Sequence, residues 1–293
     1  MTQLFGTVCI VGIGHIGSSI ALRIRRDGLA NRVVALESKP EHRKEAIALG
    51  IVDAATADAA EAVNDADLVI VCTPISAYAE IGAAIAPHLK AGAIVSDVGS
   101  VKMAAVRDLG PHIPAHAHFV PGHPVAGTEH SGPSAGLVDL FNGRWLILTP
   151  TPGTDAAAVE KVTALWRAMG SNIEIMDPAH HDRVLAITSH LPHLITYTIV
   201  GTATDLEATL QQEVIKFSAS GFRDFTRIAA SDPTMWRDVF LNNREAVLEV
   251  LQRFTEDLTA LQRAIRWGEG DKLFELFSRT RAIRRSIIDA KQA

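Results

Sequence analysis

Short Val- and Ile-rich runs alternate with helix-period segments through the first 176 residues of the chain, and then the runs stop. Val8–Val11, Arg32–Leu36, Leu68–Cys72, Ile94–Ser96, Phe119–Val120, Trp145–Leu148 and Ile173–Ile175 read as strands. Helices are expected between them at Ile16–Asp27, Pro40–Leu49, Tyr78–Leu89, Lys102–Leu109 and Asp155–Ala168. Apolar strands separated by helices are the pattern of a parallel sheet covered on both faces, because each crossover lays a helix over the strands it joins. Beyond Met176 everything to Ala293 reads as helix and connecting loop. The expected organisation is α/β: an alternating domain over residues 1–176 and an all-helical domain over 177–293.

Two Asp-Pro pairs punctuate the helical part. Asp177-Pro178 and Asp232-Pro233 each offer a carboxylate to the free N–H groups of a new helix and a proline suited to its first turn. Downstream, Val247, Leu251, Phe254, Leu258, Leu261 and Ile265 recur at spacings of four and three. That is a long apolar seam, which either packs within its own domain or joins two subunits.

Gly12-Ile13-Gly14-His15-Ile16-Gly17 lies between the first strand and the first helix. In that context the three glycines permit a tight turn, close approach of the backbone to a pyrophosphate, and close helix-to-strand packing. The N–H groups at the start of the helix then face the phosphates. The alternating domain is therefore expected to be a Rossmann-type dinucleotide-binding domain with Gly12, Gly14, His15, Ile16, Gly17 and, after the Leu68–Cys72 strand, Thr73 at the cofactor. Glu37 closes the second strand twenty residues after Gly17 and can accept hydrogen bonds from ribose hydroxyls. Its carboxylate would repel a 2′-phosphate, which favours NAD over NADP.

The totals narrow the partners. The chain has 293 residues with 28 Lys and Arg against 33 Asp and Glu, a net charge of −5, and no basic run that would mark a nucleic-acid footprint. The first strand begins too near Met1 for a signal peptide, so the chain reads as cytoplasmic. The longest apolar stretch, Val184–Val200, is broken by His190, Pro192 and His193 and falls short of the roughly 20 residues of a spanning helix; no membrane association is expected. Cys9 and Cys72, both in expected strands, read as free thiols.

Three segments carry candidate chemistry. Asp97-Val98-Gly99-Ser100-Val101-Lys102 and Gly122-His123-Pro124 each follow a strand and should reach the rim that holds the glycine turn, with Thr128-Glu129 completing a polar loop. An imidazole with an ordinary pKa near 6.5 is mostly neutral at pH 7, so His123 can accept an alcohol proton as hydride leaves the same carbon. Lys102 can hold its loop by bonding backbone oxygens or can take part in the catalysis. Pro192 interrupts a helix between His190 and His193. The four histidines His180, His181, His190 and His193 do not read as a zinc site, since they lack cysteine and a carboxylate at compatible spacing.

Taken in order, the glycine turn, Asp97–Lys102, Gly122–Gly132, His181–His193 and Gly221-Phe222-Arg223-Asp224-Phe225-Thr226-Arg227 with Ser231-Asp232-Pro233 resemble the prephenate and arogenate (cyclohexadienyl) dehydrogenases over essentially the whole chain. The resemblance implies NAD-dependent oxidative decarboxylation of prephenate to 4-hydroxyphenylpyruvate, of arogenate to tyrosine, or both. It implies His123 as the base with Ser100 beside the ring hydroxyl, and His193 near the substrate side chain. Arg227 would lie on a carboxylate, with Thr128, Glu129, Asp224 and Trp236 shaping or gating the pocket. A homodimer through the C-terminal helices is implied as well. On the residues alone Arg227 can equally pair with Asp224, and His190 and His193 can be satisfied in a helix–helix core. Relatives that carry an N-terminal mutase or a C-terminal regulatory domain differ from this chain, in which control by tyrosine is expected to act at the active site. Ser220, where the family often has glycine, is a local departure. Two other readings stand beside this one. They are a β-hydroxyacid dehydrogenase, to which the surroundings of Lys216 bear little likeness, and an NAD(H)-sensing module.

Overall fold

A computed structural model describes residues 3–128, 130–205, 213, 216 and 220–289. Its alternating part runs β1 (Phe5–Val11), α1 (His15–Asp27), β2 (Ala30–Leu36), α2 (Pro40–Ala48), β3 (Ala54–Thr56), α3 (Ala59–Val63), β4 (Leu68–Val71), α4 (Tyr78–Ile85), β5 (Ile94–Asp97), α5 (Lys102–Asp108) and β6 (His118–Val120). Among the described residues these strands form one six-stranded sheet, ordered β3-β2-β1-β4-β5-β6, with every pair parallel. Successive side chains of a strand leave opposite faces. Val8, Ile10, Leu68 and Ile70 therefore enter one core with Ile20, Ile24 and Trp166. Cys9, Val11, Val69 and Val71 enter another with Tyr78, Val101 and Trp236. The strand order reverses between β1 and β4, and the crevice beyond their carboxyl ends is where such sheets take ligands.

The last two expected strands do not join this sheet. A second sheet pairs β7 (Gly122–Pro124) antiparallel to β8 (Trp145–Leu148), and β8 parallel to β9 (Asn172–Ile175), with α6 (Ala156–Ala168) between them in sequence. β7 and β3 escape the sequence pattern because Gly-His-Pro and Ala-Ala-Thr carry little strand propensity; pairing with β8 and with β2 creates them. The helix expected to reach Leu89 ends at Ile85 and tightens into a 3₁₀ turn over Ala86–His88, where Pro87 has no N–H for a helical bond.

Both Asp-Pro pairs act as helix starts. Asp177 accepts from Ala179 N and His180 N at the head of α7 (Pro178–Leu185), and Asp232 from Met235 N at the head of α10 (Pro233–Asn242). Between them lie a π-helical turn over Ala186–His190, α8 (Leu191–Thr204) and α9 (Ser220–Thr226). In contrast to the expectation from Val184–Val200, the run Pro178–Thr204 is long and apolar enough by length and composition to cross a membrane. In this fold its residues His181, Asp182, Leu185, Ala186, His190 and Thr196 are buried in protein.

By compactness residues 1–244 form one unit and residues 245–293 another, so this boundary falls later than the change in element type at Met176. The second unit consists of nearly all of α11 (Arg244–Arg266) and of α12 (Gly270–Asp289). Its Leu258, Ile265, Trp267, Phe274, Phe277 and Ile283 are exposed, and the Arg263 guanidinium lies 4.0 Å from the Trp267 ring centroid.

Gly17 shows how tightly the first turn is wound, since a Cβ there would stand 2.2 Å from the Gly12 oxygen and 3.0 Å from Ile10 Cγ2. Gly17→Ala is expected to destabilise the first unit by about 1–3 kcal/mol through overpacking. A thermal melt reads this directly, and an unchanged Tm would contradict the packing.

Candidate active site

The cofactor turn meets a dinucleotide's requirements in four ways. Gly12 has φ +89° and α1 starts with no side-chain cap on its free N–H groups. Nothing lies within 4 Å of where a Cβ on Gly14 would stand, so that face of the backbone is open. Thr73, two residues beyond the adjoining β4, stands where a Cβ on Gly12 would lie 3.1 Å from its Cγ2, and its buried hydroxyl has no partner among the described residues. Glu37 is buried at the turn and not solvated: Oε2 accepts from Ile13 N at 3.1 Å and Oε1 from Lys39 N at 2.9 Å. An ionised carboxylate has about four lone-pair sites, which leaves capacity for ribose hydroxyls. Arg43 is turned onto the carbonyls of Glu37 and Ser38. His15 Nδ1 lies 2.7 Å from the Ala135 oxygen and His15 Nε2 lies 3.5 Å from Thr128 Oγ1. That brings Thr128 to the cofactor turn. Glu129 lies outside the described residues.

Beside the turn, the rim is organised by a fully buried ion pair. Asp97 ends β5 and accepts from Lys102 Nζ, Tyr78 OH, Gly99 N and Gly122 N. Lys102 Nζ also donates to the Gly122 oxygen, the backbone bond expected of it. A buried charge is tolerated only when paired and hydrogen-bonded, and here both conditions hold. Burial pulls the Lys102 ammonium below the usual lysine range while Asp97 opposes that shift. The pair fixes the loop carrying half-buried Ser100 and the strand carrying His123.

His123 is a residue of β7, not of a polar loop, and is 8% exposed. Its Nδ1 lies 2.9 Å from His181 Nε2 with the rings edge-on at 71°. His181 Nδ1 lies 2.8 Å from Asp182 Oδ1, and the Asp182 carboxylate accepts from Lys102 N at 2.7 Å and Met103 N at 2.9 Å. Burial holds the His123 imidazole well below its usual pKa, helped by neighbouring His181, Lys102 and His190. Burial lowers His181 as well, against the pull of Asp182.

The cluster continues across α8 and α10. Asn243 Nδ2 donates to the Asp182 oxygen and contacts His190 Nδ1 at 3.0 Å. His190 is 1% exposed and meets the Trp236 ring edge-on. Of its expected alternatives, a core position is what the fold shows, with burial lowering its pKa to about 4. His193 stacks on Trp236 with centroids 3.5 Å apart and donates from Nδ1 to the Ser189 oxygen. Its pKa is lowered by burial first and by the nearby Arg227 charge. Trp236 is thus at once a core residue and the platform under His193. Arg227 starts a 3₁₀ turn after α9, and Asp224 is exposed on α9. The π-helical turn just before Pro192 positions both histidines, a distortion that often accompanies functional sites.

The sequence motifs mark His123, His193 and Trp236, and the fold joins them through Asp97 and His181, which open two of the motifs but had no assigned role, and through Tyr78, Asp182 and Asn243, which were not singled out. His181 and Asp182 lie in the helix that Asp177-Pro178 opens, and His181 also begins the His181–His193 motif. Their partners lie 58 to 80 residues away in sequence.

Residues 20–175 match the family described as prephenate dehydrogenase, nucleotide-binding domain, and residues 177–279 match prephenate dehydrogenase, dimerization domain. The chain is 41% identical to the cyclohexadienyl dehydrogenase of Zymomonas mobilis over 285 residues, 97% of each chain. It superposes on prephenate dehydrogenase from A. aeolicus in complex with hydroxyphenyl propionate and NAD+ with a TM-score of 0.90, at 35% identity over 98% of this chain and 99% of that one. Synechocystis arogenate dehydrogenase gives a TM-score of 0.81 at 28% identity, covering 96% and 99%.

The buried imidazoles set an acid limit on stability. An unfolded histidine takes up a proton near pH 6.5, whereas in the folded chain His123, His181, His190 and His193 resist it. Below that pH the unfolded state binds more protons, so stability falls as pH drops from about 6.5 toward 4, with no such loss above. His190 alone would account for up to about 3 kcal/mol. Melts from pH 8 to 4.5 are expected to show Tm declining below pH 6.5; a flat Tm down to pH 5 would contradict the buried neutral cluster.

Proposed function

The chain belongs to the prephenate dehydrogenase family, and we propose that its buried neutral His123 is the base of the reaction. The enzyme is an NAD-dependent prephenate/arogenate (cyclohexadienyl) dehydrogenase of tyrosine biosynthesis. Hydride uptake from the ring carbon bearing the hydroxyl is the chemistry NAD supplies when bound. Residues 1–176 hold the cofactor through Gly12, Gly14, His15, Ile16, Gly17, Thr73 and Glu37, and residues 177–293 supply substrate contacts and the dimer.

His123 takes the hydroxyl proton as that carbon becomes a carbonyl. Ser100, on the loop fixed by Asp97, hydrogen-bonds the same oxygen. The ring carboxylate then leaves as carbon dioxide, its bonding pair enters the ring, and His123 returns the proton to the phenolate oxygen. No net proton is released, so a single well-placed base suffices. Arg227 grips a substrate carboxylate with the paired donors of its guanidinium, next to His193 on its Trp236 platform. Asp224 and Thr128 shape the remaining walls. The observation that carries this reading is the depressed basicity of His123 with Nδ1 committed to His181.

The apolar residues left exposed on α11 and α12 in a single chain support a homodimer through these helices, within the segment matched to the dimerization domain. The enzyme acts in the cytoplasm on its small-molecule substrate. Light scattering is expected to give twice the chain mass, and a monomer at micromolar concentration would contradict the dimer.

Purified enzyme with NAD is expected to turn over prephenate, arogenate or both, with NADH formation followed by absorbance. His123→Asn should lower kcat by roughly 10²–10⁴-fold while NAD still binds. Undiminished turnover by that variant would remove His123 from the chemistry.

A further inference from the structure

The geometry points to His181 and Asp182 as a positioning pair that locks His123 in the one tautomer able to act as a base. The inference rests on His123 being the base, and it follows from counting protons along three contacts. Asp182 accepts from two backbone N–H groups at the head of α5, Lys102 N and Met103 N, so its carboxylate is an acceptor held in place. An ionised carboxylate has no proton to give. The 2.8 Å contact between His181 Nδ1 and Asp182 Oδ1 is therefore N–H donation from the imidazole.

A neutral imidazole carries one N–H. With its proton on Nδ1, His181 presents a lone pair at Nε2, and that atom is 2.9 Å from His123 Nδ1. His123 must donate across this contact, since two lone pairs 2.9 Å apart would repel. Its own proton is thus on Nδ1 and its lone pair on Nε2, free for a substrate hydroxyl. In the opposite tautomer Nε2–H would donate to the substrate oxygen, and His123 could polarise a carbonyl but not take up a proton. Asp182 also stabilises the imidazolium formed during turnover, through His181.

The alternative use of such a chain, exporting a proton to solvent, does not suit the reaction. The proton taken from the hydroxyl goes back to the phenolate, and the inner end of the chain is closed: Asp182 is buried beneath Lys102, Met103 and Asn243. The other charged or titratable groups around the pair are Lys102, Asp97 and His190. Lys102 is already paired with Asp97, and His190 is held at Nδ1 by Asn243. Neither competes for the His123 proton.

The test is long-range proton–nitrogen NMR on the full-length enzyme with 15N-labelled histidine and bound NAD, with peaks assigned by their loss in His123→Asn and His181→Gln. Both rings are expected in the Nδ1–H form; His123 found as Nε2–H would overturn the assignment. Kinetics give a second reading. His181→Leu removes the acceptor and should cost roughly 10²–10⁴-fold in kcat with KM for substrate little changed, the scale seen when a catalytic imidazole loses its orienting partner. His181→Gln can place a carboxamide oxygen where Nε2 stood, and should recover roughly tenfold or more of that loss. Undiminished kcat in the leucine variant, or a glutamine variant no better than it, would each contradict the role. The tautomer signals are read without substrate, so they test the pair even in an enzyme whose preferred substrate proved different.

Discussion

One carboxylate, Asp182, ties the helices beyond the sheets to the rim of the parallel sheet. It caps α5 through Lys102 N and Met103 N and holds His181 Nδ1 through Oδ1. α5 in turn begins with the lysine whose ammonium is buried between Asp97 and the Gly122 carbonyl. The placement of His123 therefore descends from two buried charged groups, each held by at least two hydrogen bonds. Removing one partner from such an arrangement leaves an uncompensated buried charge, typically a loss of about 3–5 kcal/mol. The same dependence gives the site its rigidity.

Burial does chemical work as well as structural work. Imidazoles taken out of water resist protonation, and the neighbouring His181 lowers His123 and His190 further. Bases with depressed pKa values remain available at neutral pH and give up a captured proton readily, which suits an oxidation that must return it. The cofactor turn is built on the opposite plan. It relies on the uncapped N–H groups at the head of α1, an open face at Gly14 and a short list of side chains, because phosphates are best met by fixed dipoles at a helix start.

Features written into contiguous residues were legible from the sequence: the glycine turn between β1 and α1, the helix starts at Asp177 and Asp232, the backbone bond of Lys102, and seven strands. Features created by distant pairing were not. Gly122–Pro124 becomes a strand only because Leu146–Leu148 lies beside it, and that pairing also draws β8 and β9 out of the parallel sheet into a sheet of their own. Likewise an Asp next to a His in a helix carries no mark of its partner 80 residues earlier. His190 and His193 looked alike three residues apart, yet one is buried against Asn243 and the other stacks half-buried on Trp236, a distinction set by the π-helical turn ahead of Pro192.

The most direct test of the whole account is a crystal structure of the enzyme with NAD and a 4-hydroxyphenyl acid. The ring hydroxyl should lie within about 2.6–3.2 Å of His123 Nε2, with an acid group of the ligand on Arg227. A hydroxyl bound away from His123, or a ligand whose acid group avoids Arg227 altogether, would contradict it.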